Sequence, residues 1–133
     1  MKSHLERAKA NERFLAFIDA NEGDDFSEWK MTVLFYSSLH YLKAYLILKK
    51  KPLGHSHKDI DSIINPANAK AQFPFPQKIY DYYNTLYQNS WEARYSGVYN
   101  TAMQAALLKW KCSESLCCLE ELKKYFKAEG LSF

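Results

Sequence analysis

From residue 27 to residue 50 the chain contains neither glycine nor proline, and its apolar residues lie around most of a helical circumference. Met31, Leu34, Phe35, Leu39, Leu42, Tyr45 and Leu46 cannot all share one stripe. A helix that is apolar on every side has to be wrapped by other elements. This segment therefore predicts a central helix and a fold built around it. It ends in Lys49-Lys50-Lys51, a charge that suits the negative end of a helix dipole.

The flanking sequence supplies the wrapping. Leu5, Ala8, Phe14 or Leu15, and Ile18 recur at helical spacing and predict a first helix over 4–21, opened by a Ser3/Glu6 capping box. Asn21 to Asp25 forms the turn, and Asp25 or Ser27 caps the central helix, with Glu28 in its first turn. Pro52-Leu-Gly54 breaks the chain, and Ser56 caps a short helix over 57–65 with Asp59 three residues on. Asn68 to Pro76, with its Phe-Pro-Phe-Pro run, is an extended connector, because residues before proline avoid the helical region. A strongly aromatic helix follows over 76–95, closed by Ser96-Gly97. A Thr101/Gln104 capping box opens the last helix over 101–129, with the stripe Ala105, Leu108, Cys112, Leu116, Leu119, Leu122 and Phe126. No strand-like alternation and no internal repeat competes. The fold class expected is all-α: an up-and-down antiparallel bundle of four main helices and one short one, in a single domain over 1–133.

Bulk properties exclude more than they select. The 133 residues carry a net charge of +3, short of the basicity of a dedicated duplex binder. The three cysteines, Cys112, Cys117 and Cys118, are an odd number crowded into one segment, which fits reduced thiols and a cytoplasmic setting. Met31 to Leu48 approaches membrane length but carries Ser37, Ser38, His40 and Lys43, so a buried helix and no membrane span is expected. There is no Gly-rich phosphate loop, no G-x-S-x-G elbow and no H-E-x-x-H. No metal site and no cofactor is expected.

Three constellations remain, each with two readings. Trp29, Val33, Tyr36 and His40 fall on one row of the central helix: either Tyr36 and His40 tip into a pocket, or the row is core. Gly54-His55-Ser-His57-Lys58 enters the short helix. Its two histidines lack the third ligand a metal site needs, unless His40 comes near. A helix N-terminus beside His and Lys also suits an anion, and an exposed polar loop is the plain alternative. Ser90-Trp-Glu-Ala-Arg94-Tyr95 closes the aromatic helix. Arg94, one of only three arginines, either clamps phosphate and stacks on a base or simply caps the helix end.

In order along the chain, Trp29 with Phe35-Tyr36-Ser-Ser-Leu-His40-Tyr-Leu-Lys-Ala44, the His55/His57 loop and Ser90-Trp-Glu-Ala-Arg94-Tyr95 resemble the HEPN superfamily (higher eukaryotes and prokaryotes nucleotide-binding domains). The resemblance covers about residues 5–125. It implies a helical bundle, commonly a homodimer, often paired with a nucleotidyltransferase-type partner in toxin–antitoxin or defence systems. The family's ribonuclease signature is an Arg followed four to six residues later by a His. Here Arg94 is followed by Tyr95-Ser-Gly-Val-Tyr99-Asn100, and no histidine occurs after His57.

Three functions stay open at this point. One is a module that binds a nucleotide, RNA or a partner protein through Tyr36, His40, His57, Arg94 and Tyr95. The second is a divergent metal-independent ribonuclease using Arg94 and His57. The third is a structural domain whose Tyr-rich fourth helix forms a dimer seam.

Overall fold

A computed structural model describes residues 1–22, 26–95 and 102–133; the side chains of Glu22, Tyr95 and residues 102–105 fall outside that description. The elements are α1 (Lys2–Glu22), α2 (Ser27–Leu48), α3 (His57–Ile64), α4 (Gln77–Tyr95) and α5 (Ala102–Ala128). All described elements are helical, in the expected order. Successive long helices run antiparallel, and α2 packs against α1, α4 and α5 while α4 also packs against α5. The central position read from α2's all-round apolarity is the one it occupies. Among the described residues no helix is long and apolar enough to cross a membrane.

The core is one cluster in which Tyr41, Leu42, Tyr45 and Leu46 of α2 meet Tyr83 and Leu86 of α4 and Leu119, Leu122 and Phe126 of α5. Fully burying one such side chain contributes about 1.5–3 kcal/mol. Tyr45 is its aromatic centre, with the Phe126 ring at 4.8 Å and those of Phe73, Phe75 and Tyr125 each at 5.9 Å. The Phe-Pro-Phe-Pro connector folds back onto the end of α3, its Phe73 and Phe75 N–H groups donating to Ile63 and Ile64 carbonyls at 3.0 and 2.9 Å. That return leaves the start of α3 free to face α2 and α4.

α1 is fastened by polar contacts as well as apolar ones. Ala8 is fully buried, close enough that Ser37 Oγ donates to its carbonyl at 3.0 Å. Glu12 accepts from the Tyr41 hydroxyl and, at 2.8 Å, from Lys123 Nζ. One carboxylate thus ties α1 to α2 and α5.

Several local expectations are corrected. α1 begins at Lys2, so Ser3 lies inside the helix and cannot be its cap. The residue capping α2 is Phe26, with no side-chain cap hydrogen bond, and Ser27 is the first helical residue; Asp25 lies outside the described residues. Leu15 is half-buried and Phe14 exposed, which settles the alternative on α1. Leu116 is exposed despite its place on the α5 stripe. The Ser56 cap forms as expected, accepting from Asp59 N–H at 3.2 Å. Ser96-Gly97 and the Thr101/Gln104 box lie outside what is described.

Candidate functional site

A cleft of about 630 Å³ opens between α2, α4 and the start of α3. Phe35, Tyr36 and Leu39 of α2 form one wall, and Tyr87, Trp91 and Arg94 of α4 form the other. His55, Ser56 and His57 close the end. The α4 residues follow helical spacing: Tyr83, Tyr87, Trp91 and Arg94 stand at i, i+4, i+8 and i+11, one face of the helix.

Arg94 crosses the cleft. Its Nη1 donates to the Tyr36 hydroxyl oxygen at 3.0 Å, and its guanidinium carbon stands 5.7 Å from the centre of the Tyr36 ring. The cation is held at the rim, where Tyr36 and Trp91 are both exposed. The core reading of the Trp29–Tyr36 row therefore fails for both aromatics, since Trp29 is exposed too.

His57 is fixed at the closed end of the cleft. Its ring lies nearly parallel to that of Tyr87, centroids 3.3 Å apart at 11°, and its Nδ1 is 3.0 Å from the Tyr83 hydroxyl. Burial pushes the Tyr83 phenol far above its ordinary range, so it stays protonated. Burial lowers the His57 pKa and the Asp61 charge only partly opposes this, so the imidazole is neutral near pH 7. Nδ1 is engaged by the phenol, which leaves Nε2 as the nitrogen that can meet a ligand. Gly54 makes this placement possible. A Cβ there would sit 2.5 Å from Asp59 Cβ and 2.8 Å from the Ile60 nitrogen, so only glycine lets the loop pass so near the first turn of α3.

The structure brings Tyr36, His57 and Arg94 to one cleft and sends His40 elsewhere. His40 Nδ1 lies 3.0 Å from Nδ1 of His4, across the α1–α2 seam. It is thus no wall of the cleft and no third ligand for the His55/His57 pair. Burial, His4, Lys43 and Arg7 together hold its pKa down at about 4. The Tyr95 side chain and Tyr99 lie outside the described part of the structure. Among the described residues no group of three or more His, Cys, Asp or Glu side chains is placed to hold a metal ion.

A sequence model of the HEPN domain matches residues 1–129 of the chain. The chain belongs to the HEPN family. No curated protein and no solved structure matches it, so the reading of this HEPN domain rests on its own residues. Sequence reasoning missed two partners in it, His4 against His40 and the Tyr83–Tyr87 pair around His57. The second had a signal, the Tyr83-x3-Tyr87-x3-Trp91-x2-Arg94 stripe.

The cleft of this HEPN domain can do two things chemically. The Arg94 cation and the exposed rings attract an anion attached to a flat group. Among the described residues that line it, none is a carboxylate. The first N–H groups of α3 add a weak positive pole, offset by the Asp59 carboxylate that accepts from His55 N–H at 3.2 Å.

Proposed function

We propose that the α2–α4 cleft binds a nucleotide or an RNA segment, phosphate on Arg94 and base against Trp91 or Tyr36. The observation that carries this is Arg94 poised over Tyr36 beside Trp91, at the rim of a cleft in which none of the described lining residues is acidic. A guanidinium meets phosphate through paired N–H donors, and stacking on an aromatic side chain is worth about 1–3 kcal/mol per base. Neutral His57 offers a hydrogen-bonding nitrogen for a sugar hydroxyl or base edge.

Binding is favoured over cleavage because the Arg-to-His signature spacing of the family's ribonucleases does not occur at Arg94. The ribonuclease reading keeps one observation in its favour: Arg94 and His57 line the same cleft. In that reading Arg94 would offset charge on the phosphorus centre and His57 would move the proton. A role in a toxin–antitoxin or defence pair would require a second protein, for which a nucleotidyltransferase is the partner to co-express.

The test uses fluorescence anisotropy of a labelled single-stranded oligoribonucleotide, with AMP as competitor, on the wild type, Arg94→Ala and His57→Ala. Removing a charged hydrogen-bonding partner costs about 1.5–3 kcal/mol, so Arg94→Ala should weaken binding by roughly tenfold or more. Equal affinity in wild type and Arg94→Ala would sink the proposal. Cleavage products on a gel, present for the wild type and absent for both variants, would replace binding by catalysis.

A further inference from the structure

Between Glu28 and Asp59 the chain carries no acidic residue. Most of α2 lies inside that stretch, and one of its rows runs from Tyr36 through His40 to Lys43, at i, i+4 and i+7. The row begins at the hydroxyl to which Arg94 donates. From there it is about 6 Å of axial rise to His40 and about 10 Å to Lys43. Leu39, beside His40 in sequence, still lines the cleft. The first turns of α1 flank the row. His4 Nδ1 is 3.0 Å from His40 Nδ1, the two rings stacked with centroids 5.2 Å apart, and Arg7, three residues on from His4, is exposed. Four basic side chains from two helices thus gather next to the cleft but outside it.

We propose that His4, Arg7, His40 and Lys43 form a second phosphate subsite, so that the ligand of the cleft is a single RNA strand rather than a mononucleotide. This rests on the nucleotide-binding reading of the cleft and extends it by one site. A stacked strand advances about 3.4 Å per phosphate, so the interval from Tyr36 to Lys43 takes about two or three nucleotides. The strand is unpaired because Trp91 and Tyr36 offer exposed rings, on which a base stacks once it has left its partner.

Charge favours a phosphate here because it has one sign. Lys43 and the Met1 amine act on the His4 ring, and His4, Lys43 and Arg7 act on His40, all of them basic groups. Glu6, the acidic residue next to Arg7 in sequence, stands about 100° round α1 from it. Among the described residues neither Arg7 nor Lys43 has a carboxylate within ion-pair distance, whereas Lys30, Lys111 and Lys123 each have one. Burial and these charges keep both imidazoles neutral near pH 7. Arg7 and Lys43 therefore supply the charge, and the two rings supply hydrogen-bonding nitrogens beside it.

Anisotropy of a labelled single-stranded oligoribonucleotide, titrated at several salt concentrations, tests it. Each phosphate neutralised on a single strand contributes about 0.7 to the slope of log affinity against log salt. The double variant Arg7→Gln with Lys43→Gln should bind about tenfold more weakly, with a slope lower by about 0.7. Lys43→Arg should keep both values. Lys124→Gln, which removes an exposed cation from α5, should change neither. Far-UV circular dichroism accompanies each variant, and if the double variant loses its helices the two single variants decide. Wild-type affinity and slope in a folded Arg7/Lys43 variant, with Arg94→Ala weakened, overturn the subsite and leave the reading of the cleft standing. An equal loss in Lys124→Gln overturns the subsite as well, since bulk charge then accounts for it. A wild type that binds no RNA overturns both.

Discussion

Tyr36 holds Arg94 from the far side of the α2–α4 seam, through one hydrogen bond of 3.0 Å to the guanidinium and a ring 5.7 Å from it. The pair is exposed, so its worth to folding is small, below about 1 kcal/mol. Its worth to a ligand is larger, since a preset guanidinium loses less side-chain freedom on binding. Tyr36→Phe keeps the ring and removes the hydroxyl. Oligoribonucleotide affinity should fall about three- to tenfold, in proportion to one hydrogen bond of ~1 kcal/mol, while the urea midpoint stays within error of the wild type. A shift in the midpoint with unchanged affinity would reverse this assignment.

Lys50 ends α2 with φ of 56°, a left-handed conformation that costs an L-residue roughly 1 kcal/mol. It is imposed by the closing pattern of the helix, in which Lys51 N–H donates to Leu46 C=O at 2.9 Å and Lys50 N–H to Ile47 C=O at 3.0 Å. Helix α5 closes with the same pair of bonds around Gly130, where glycine carries no such cost. Lys50→Gly should therefore stabilise the protein by about 0.5–1 kcal/mol, read as a higher urea midpoint at unchanged slope. Gly130→Ala should destabilise it by a similar amount.

The bundle was legible because its signals are local. The all-round apolarity of α2, the Ser56 cap and the breaks at Pro52 and Gly54 each act within a few residues, and each helix falls within two residues of its expected bounds. The site was legible only by halves. Arg94, His57 and Tyr36 were singled out by residue type, but whether they meet depends on how α4 rotates against α2, which spacing on either helix alone leaves undetermined. His40 shows the same limit from the other side: its row on α2 is right, but its partner is His4, on a helix whose polar residues carried no periodic signal. Phe14, offered with Leu15 for the α1 stripe, and Trp29, on a row with a core reading and a pocket reading, are both exposed. Apolar periodicity identifies a stripe without showing whether this chain or another covers it.

Gly54 tests how the loop positions His57. With 2.5 Å to Asp59 Cβ and 2.8 Å to the Ile60 nitrogen, a methyl group forces the loop away from α3. Overpacking of this kind costs about 1–3 kcal/mol. Gly54→Ala should lower the urea midpoint accordingly and disturb the stacking of His57 on Tyr87, weakening ligand binding in parallel. A variant with wild-type stability would show that the loop yields freely.

The His4–His40 contact makes stability fall in mild acid. The two Nδ1 atoms, 3.0 Å apart, share one hydrogen bond only while at least one ring is neutral. Burial is the main cause, with the charges of His4, Lys43 and Arg7 adding to it, so folded His40 holds its pKa at about 4 against an ordinary 6.5. Between those values the unfolded chain takes up a proton that the folded chain refuses. Stability due to His40 is therefore complete above about pH 6.5, declines as the pH falls, and levels off below about 4. Urea midpoints measured from pH 7 to pH 4 should drop for the wild type and drop less for His40→Gln, which has no proton to gain. His4 and His57, whose pKa values are also lowered, leave a residual slope in the variant. His4→Gln should shift the wild-type decline to lower steepness as well, because His40 then loses one of the groups that oppose its protonation. Parallel profiles for the wild type and His40→Gln would show that the pair does not couple folding to pH.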